Sequence, residues 1–290
     1  MKYIYKSFIF SGLFITTLLG SCELYNPTEP IPAYIHIDKI NLTTATDGSQ
    51  GSNSNKITDA WVYIDDKLQG CYELPVTFPV LQEGAHQVRI RAGIKVNGIA
   101  SNRAPYPFYD SYIQTIDFQK FKTITLTPTV TYKTGITFDL LENFENVGTI
   151  IDTTANSDTT FQKISSPAEN VFEGSYSGIA YLDINRTFFE CATVNKYALP
   201  KSGSDIFLEF DYKCNYPFTV SVIAYGTAST AQFSALHFNP SENWNKAYVF
   251  LTPVVSGAYT ALDYKIAWGA INNSGADSVA FLFDNIKLVH

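Results

Sequence analysis

Short runs of alternating apolar and polar residues recur along the chain and predict β-strands. Residues 34–40 (YIHIDKI) and residues 86–92 (HQVRIRA) both alternate. Alternation of this kind places successive side chains on opposite faces of a strand. No long segment has the i, i+3, i+4, i+7 apolar stripe with the caps that are typical of a helix. The pattern therefore predicts an all-β protein.

The last run, Val279 to Val289, is apolar at nearly every position. A strand of this kind is covered on both faces, as in the middle of a sandwich. Its one acid, Asp284, is costly to bury unless it is paired, binds a metal or lies at a rim. The run that begins at Phe138 is the expected partner, so the first and last strands of one domain should lie close together.

Composition agrees with a β protein of two cores. Aromatic residues make up 15% of the 290 residues and charged residues only 16%. This length suits two hydrophobic cores better than one. We predict two β-sandwich domains, at residues 33–133 and 136–290.

The first 21 residues have the pattern of a targeting segment. Lys2 and Lys6 precede an apolar stretch over residues 7–19, and Leu-Gly-Ser then leads into Cys22. This stretch is short for a membrane-spanning helix and no stop-transfer charges follow it. One interpretation of this pattern is an ordinary secretory signal peptide in which the cysteine occurs by chance.

Small residues before Cys22 resemble the lipobox of bacterial lipoproteins. The resemblance implies that Cys22 becomes the mature N-terminus and carries acyl chains, which would hold the protein at a membrane. It further implies an exported protein at the outer membrane or cell surface of a Gram-negative cell. Residues 22–32 are rich in proline and are predicted to form an extended tether.

The net charge argues against nucleic acid as a partner. Loss of Lys2 and Lys6 leaves 18 of the 20 basic residues against 27 acidic ones, a formal charge of −9. Only four arginines are present. No basic stripe is available to meet a phosphate backbone.

Residues 61–92 carry the clearest local pattern of the first domain. A strand at residues 60–64 runs into Asp65 and Asp66, and a Gly-Ala-His-Gln-Val run starts at Gly84. This order resembles the small PEGA-type sandwich repeats of envelope proteins and implies an immunoglobulin-like spacer. Asp66 stands at the position where those repeats usually have a turn glycine. The aromatic insertion at residues 100–109 is either a binding loop or a segment that packs on its own sandwich.

The second domain resembles a family as a whole. Its LLENFE motif, the EGSYSG turn at residues 173–178, and the closing FLFDNIKLV are similar in order to the β-jelly roll of galactose-binding-like carbohydrate-binding modules. The resemblance implies a jelly-roll sandwich that binds a polysaccharide. A fold of this kind serves many roles, so it identifies function only weakly.

The same resemblance implies a structural calcium ion. In the family, acids near the first strand and in the last strand hold Ca²⁺ together with the glycine turn. The matching candidates here are Glu145, Asp284 and Glu173. Calcium takes six to eight oxygen ligands, and an ion between the two ends of the domain would close a long loop. The alternative is that Asp284 is paired with a lysine or caps a turn.

Ligand binding would use aromatic and amide side chains. The candidates are Trp268, Trp244, Tyr225, Tyr181 and Asn185. Sugars stack on aromatic rings and bond to amides, but both tryptophans also fit core positions of strands.

The chain lacks a convincing catalytic arrangement. Glu209 and Asp211 share one strand face, as paired carboxylates of a glycosidase must, but Cys214 stands where a third acid is required. The four histidines are too scattered for a zinc site. Of the other cysteines, Cys191 and Cys214 either pair or stay unpaired, and Cys71 is expected to be free and buried.

The leading hypothesis is a non-catalytic, lipid-anchored envelope protein that binds glycan through its second domain. The alternative is a structural or adhesion lipoprotein whose sandwiches contact other envelope proteins. A ligand groove with exposed aromatics favours the first hypothesis, and a broad apolar patch favours the second.

Overall fold

The computed structural model of the chain describes residues 29–290. Cys22, the targeting segment and most of the tether lie outside the described residues. The all-β prediction is confirmed, with 51% of the chain in strands and 5% in helix. No helix within the described range is long and apolar enough to cross a bilayer.

The first ten strands form an N-terminal sandwich. Their bounds are β1 (Ala33–Ile37), β2 (Asn41–Leu42), β3 (Asp59–Ile64), β4 (Lys67–Glu73), β5 (Val76–Val80), β6 (Gly84–Lys95), β7 (Arg103–Pro105), β8 (Tyr112–Phe118), β9 (Thr123–Leu126) and β10 (Thr129–Val130). One layer has the order β5-β1-β9, with the pair β10-β2 beside it, and the other has the order β4-β3-β6-β7 with β8 on β6. Alternate apolar residues of both layers, such as Ile35 and Ile90, are fully buried between them.

The tight turn between β3 and β4 explains how an aspartate replaces a glycine. Asp65 and Asp66 have φ angles of +47° and +62°. Aspartate tolerates this left-handed region better than most residues, and a two-residue hairpin turn of this type needs it at both positions.

The remaining strands form a C-terminal jelly-roll sandwich, as predicted. Their bounds are β11 (Phe138–Glu142), β12 (Ile151–Thr153), β13 (Gln162–Ile164), β14 (Ser177–Leu182), β15 (Phe188–Thr193), β16 (Phe207–Cys214), β17 (Phe218–Tyr225), β18 (Thr230–Phe238), β19 (Ser241–Phe250), β20 (Asp263–Ile271) and β21 (Val279–Val289). One short helix, α1 (Thr252–Gly257), and two 3₁₀ turns, Val96–Gly98 and Ala168–Asn170, complete the regular structure of the described chain.

Two antiparallel sheets make up this sandwich. We call the first the interface sheet, with the order β13-β14-β21-β16-β19 and β11 paired to β21. We call the second the distal sheet, with the order β12-β15-β20-β17-β18. The chain passes repeatedly from one sheet to the other, and an aromatic core that includes Phe210, Phe218 and Phe283 fills the space between them.

Strand β21 is central, as its apolar sequence predicts. It pairs with β14 on one side and with β16 on the other, and ten of its eleven residues are buried. The first strand of the sandwich, β11, also pairs with β21, as expected.

The two sandwiches share buried surface. Phe207, Tyr248 and Val289, all from the interface sheet, belong to the same apolar cluster as the core of the N-terminal sandwich. The N-terminal sandwich therefore covers the outer face of the interface sheet.

Candidate ligand-binding face

The outer face of the interface sheet is occupied by the N-terminal sandwich. Along β16, Leu208 and Phe210 face the jelly-roll core, while Phe207, Glu209 and Asp211 point outward. Tyr106 donates its hydroxyl hydrogen to Glu209 at 2.6 Å, and Ser54 donates to Asp211 at 2.9 Å. The predicted pair of acids, Glu209 and Asp211, is thus buried between domains and has no access to a substrate.

The aromatic insertion at residues 100–109 belongs to this interface. Tyr106, Phe108 and Tyr109 are 1%, 5% and 3% exposed. The ring of Tyr106 lies 5.1 Å from that of Phe207 and 5.1 Å from that of Tyr248. Of the two interpretations of this segment, packing is therefore the one that the structure supports.

The outer face of the distal sheet is different, because small residues form its floor. Ala192, Ala267 and Ser221 lie opposite one another in β15, β20 and β17. They are 7%, 1% and 7% exposed, and they face away from the core that their neighbours Cys191, Trp268 and Val220 form. A row of small side chains across neighbouring strands leaves room above the sheet for longer side chains of the flanking strands.

A side-chain bridge shows that this face is concave. Glu190 in β15 accepts a hydrogen bond from Gln232 in β18 at 3.0 Å, although β20 and β17 lie between them. In a flat sheet, strands three spacings apart are separated by roughly 14 Å. This distance is at the limit of what a glutamate and a glutamine side chain can bridge together. The sheet must therefore curve toward its outer side. The bridge crosses above the row of Ala267 and Ser221, and this explains why such small residues are covered.

The Glu190 carboxylate is the polar centre of the face. Its other oxygen accepts a hydrogen bond from Thr154 Oγ1 at 2.8 Å. The residue is only 9% exposed. A hydroxyl and an amide therefore hold this nearly buried carboxylate. Hydroxyl groups of a ligand would donate to the same two oxygens in place of these groups.

A depression of about 310 Å³ lies on the same face, beside this bridge. Tyr225, Lys265 and Asp152 contribute its aromatic and charged groups, and Thr154 and Ala192 link it to the small-residue floor. The Lys196 ammonium lies 3.8 Å from the centre of the Tyr225 ring, a cation–π contact that holds the ring in place.

One exposed apolar side chain also lines the depression. Val194 is 49% exposed.

Of the five predicted ligand contacts, the structure places only Tyr225 on this face. Trp268 is 1% exposed and packs between Phe210 and Phe283, so it is a core residue and the prediction that it contacts a ligand is wrong. Tyr181 points outward from β14 in the other sheet.

The other two predicted contacts lie elsewhere. Trp244 lies against Phe172, with ring centroids 5.3 Å apart and ring planes tilted by 53°, and its indole N–H donates to the Glu169 carbonyl at 3.3 Å. Asn185 lies in the turn between β14 and β15, where its backbone N–H donates to the Asp183 carboxylate at 2.8 Å. The predicted contacts therefore do not form one site.

The three predicted calcium ligands lie around one loop, but they already accept protein donors. Glu145 Oε1 accepts the backbone N–H groups of Ser175 and Tyr176 at 2.8 and 2.9 Å. Asp284 Oδ2 accepts from the backbone of Glu173 at 3.3 Å and from Ser177 Oγ at 2.7 Å.

The Glu173 side chain points toward the other domain. Its carboxylate accepts from Asn285 at 2.9 Å and from Ser52 of the N-terminal sandwich. Within residues 29–290, no three His, Cys, Asp or Glu side chains are grouped as metal ligands. This arrangement fixes the loop at residues 173–177 through hydrogen bonds and does not fit a calcium cage.

Burial sets the ionisation of Asp284. The carboxyl is fully buried, and this raises its pKa to about 7, while the hydrogen bonds from Ser177 and from backbone amides oppose the rise. Its neighbour Asp211 also has a raised pKa because of burial, with the Lys246 ammonium at 3.5 Å acting in the opposite direction.

The described cysteines are free thiols. Cys191 and Cys214 are buried in the distal and interface sheets, and Cys71 is exposed, so the expectation that Cys71 is buried is wrong. Cys71 lies on β4, which pairs with β3 at one edge of its sheet in the described chain.

Sequence reasoning missed Glu190, Gln232 and Lys265. Glu190 and Lys265 each lie between two core residues of their strands, so alternation directs them outward. Strand β18, which contains Gln232, is exposed along most of its length and has no such pattern. What the sequence does not contain is the strand order that brings β15 and β18 within reach of one bridge.

Comparison with known proteins gives likenesses only among solved structures. No protein-family profile matches the chain, and no curated protein does. The modules CBM22-1 and GH10 of xylanase 10B from Clostridium thermocellum share 13% identity over 53% of this chain, with a TM-score of 0.39. The chain spans 28% of that protein's length.

Isolated modules match in the same way. The C-terminal family 22 carbohydrate-binding module of that xylanase shares 12% identity over 52% of this chain and 91% of the module, with a TM-score of 0.37. A family 11 module from a cellulosomal cellulase of Clostridium thermocellum shares 12% identity over 53% and 95%, with a TM-score of 0.35. Likenesses this distant do not identify what this chain binds.

Proposed function

We propose that this protein is a non-catalytic, lipid-anchored envelope protein that binds a polysaccharide on the outer face of its distal sheet. One observation carries the proposal. The jelly roll has two outer faces, and the N-terminal sandwich covers one of them, while the other is concave, floored by small residues and lined with polar side chains.

The chemistry of the distal face suits neutral, hydroxyl-rich ligands. The Glu190 carboxylate and the Gln232 amide together offer acceptors and donors to neighbouring hydroxyl groups. Tyr225 offers an aromatic ring at one end of the face. A shallow curved surface of this kind takes an extended chain better than a compact molecule.

A glycan-array screen of residues 23–290 tests the binding proposal. We expect hits among neutral polysaccharide fragments, and we expect Glu190→Ala to remove them while the protein stays folded. A blank array with folded protein would instead favour the protein-contact role for the envelope sandwiches.

The lipid anchor is tested separately. We propose that Cys22 carries the acyl chains and that the protein lies at the outer membrane or cell surface. Expression of the full chain and detergent phase partitioning should place the protein in the detergent phase, and Cys22→Ala should move it to the aqueous phase. Detergent partitioning that is unchanged by Cys22→Ala would contradict the anchor.

A further inference from the structure

A second pocket, of about 200 Å³, opens where the two sandwiches meet. Lys56, Thr58 and the turn that contains Lys95 and Asn97 supply the wall from the N-terminal sandwich. The jelly roll supplies the rest of the wall from Tyr212 and from residues 236–239 and 245–248. Neither sandwich forms this pocket alone.

The lining carries three ammonium groups and no carboxylate. Two of these ammonium groups have acidic neighbours outside the pocket, with Lys95 at 3.0 Å from Glu73 and Lys246 at 3.5 Å from Asp211. Lys56 has no carboxylate within 4.0 Å among residues 29–290. Its ammonium donates to a neutral oxygen, Asn245 Oδ1, at 2.5 Å.

Two features of the surroundings disfavour the charged form of Lys56. Partial burial of the ammonium, and then the charge of Lys95, lower the pKa of Lys56. An anion beside Lys56 would offset both effects, because it would stabilise the ammonium form of the lysine.

The other lining groups recognise hydroxyls and ring carbons. Asn239 and Asn245 contribute amides, and His237 contributes an imidazole. Tyr212 and Tyr248 add aromatic carbon, and the Asn245 amide donates to the Tyr212 hydroxyl at 3.0 Å. The volume is below the 300–1,000 Å³ or so that is typical of drug-sized ligand sites. It suits one small ring.

We propose that this pocket binds a small polyhydroxylated carboxylate, of the size of one sugar acid, with the Lys56 ammonium against its carboxylate. The residues that carry the distal-face proposal, Glu190, Gln232 and Tyr225, do not line this pocket, so the inference does not rest on that proposal. The ligand would contact both sandwiches and stabilise their contact.

Calorimetric titration of residues 23–290 with sodium glucuronate and sodium galacturonate tests the proposal. Glucose serves as the neutral control, and acetate as an anion without hydroxyl groups. We expect saturable binding of at least one sugar acid, binding at least ten-fold weaker for glucose and acetate, and a raised melting temperature only with the sugar acid.

Two matched variants test whether the sugar acid binds in this pocket. Lys56→Gln should weaken sugar-acid binding at least ten-fold, and Lys120→Gln should leave it unchanged, because Lys120 is paired with Glu83 at 3.0 Å and does not line the pocket. Both lysines are exposed, so both variants should fold, and their melting temperatures check this. Equal binding of glucose, no binding of either acid, or unchanged binding in Lys56→Gln would overturn the proposal.

Discussion

The hydroxyl of Tyr106 in the N-terminal sandwich donates to the carboxylate of Glu209 in the jelly roll at 2.6 Å. Both residues are buried, at 1% and 0% exposure. Tyr132 donates to the same carboxylate at 3.0 Å, so two tyrosines of one sandwich solvate one acid of the other. A buried carboxylate needs such donors, because without them its desolvation is not compensated. The two sandwiches are therefore expected to unfold together.

Loss of the Tyr106 hydroxyl should destabilise the whole protein. Tyr106→Phe removes a hydrogen bond to a buried carboxylate, and we expect the free energy of unfolding to fall by about 1.5–3 kcal/mol. Urea denaturation followed by tryptophan fluorescence measures this. Tyr112→Phe is the control, because the Tyr112 hydroxyl bonds to Gln114 at an exposed position, and its effect should stay within about 0.5 kcal/mol. Equal effects of the two variants would contradict the role of Glu209.

The raised pKa of Asp284 predicts how stability depends on pH. The pKa is about 7 in the folded protein and near its ordinary value of 3.8 in the unfolded chain. Between these values the folded state binds more protons than the unfolded state. The contribution of Asp284 to stability is therefore present at low pH and is lost as pH rises from about 4 to 7.

Asp284→Asn should remove this pH dependence. Asparagine keeps an acceptor for Ser177 Oγ but carries no charge, so the variant should gain stability relative to the wild type as pH rises through this window. Melting temperatures of both proteins at pH 4.5, 6 and 7.5 measure the difference. A constant difference across this range would show that Asp284 does not titrate as stated.

Trp268 should behave as a core residue. Trp268→Ala would leave a cavity in the aromatic core, and we expect a loss of about 3–5 kcal/mol in the free energy of unfolding. Its indole N–H has no hydrogen-bond partner in the described chain, so Trp268→Phe forfeits no hydrogen bond and should cost clearly less. Equilibrium denaturation of the two variants compares these costs. Near-normal stability of the alanine variant, with loss of glycan binding, would mean that Trp268 reaches a ligand after all.

Calcium removal is expected to have little effect. Glu145 and Asp284 accept backbone and hydroxyl donors where a calcium cage would need them to face an ion. Melting curves with EDTA and with excess calcium should coincide. A fall in melting temperature with EDTA that calcium reverses would show that these carboxylates rearrange around an ion.

The central position of β21 was predictable because its sequence is apolar at nearly every residue. The location of Asp284 was not. It is buried because loop residues of the N-terminal sandwich, such as Ser52 and Ser54, lie over the neighbouring acids Glu173 and Asp211. Contacts of that kind join residues more than 100 positions apart, and strand periodicity carries no information about them.

The proposed ligand-binding face shows the same limit. An aromatic residue such as Trp268 is expected in a sugar site and in a hydrophobic core alike, and the face of the sheet on which its side chain lies decides between them. Glu190 and Gln232 attract no notice as single residues. They bond to each other because the curved distal sheet brings β15 and β18 within reach of one bridge.

The most direct test of the central claim is the affinity of the best array ligand for three proteins. These are the wild type, Glu190→Ala, and the control Tyr181→Ala, which truncates a side chain on the other sheet. Binding on the distal face predicts at least a ten-fold weaker affinity for Glu190→Ala and no change for Tyr181→Ala, with melting temperatures that show both variants folded. Unchanged affinity in Glu190→Ala, or a loss confined to Tyr181→Ala, would contradict the account and place the ligand elsewhere.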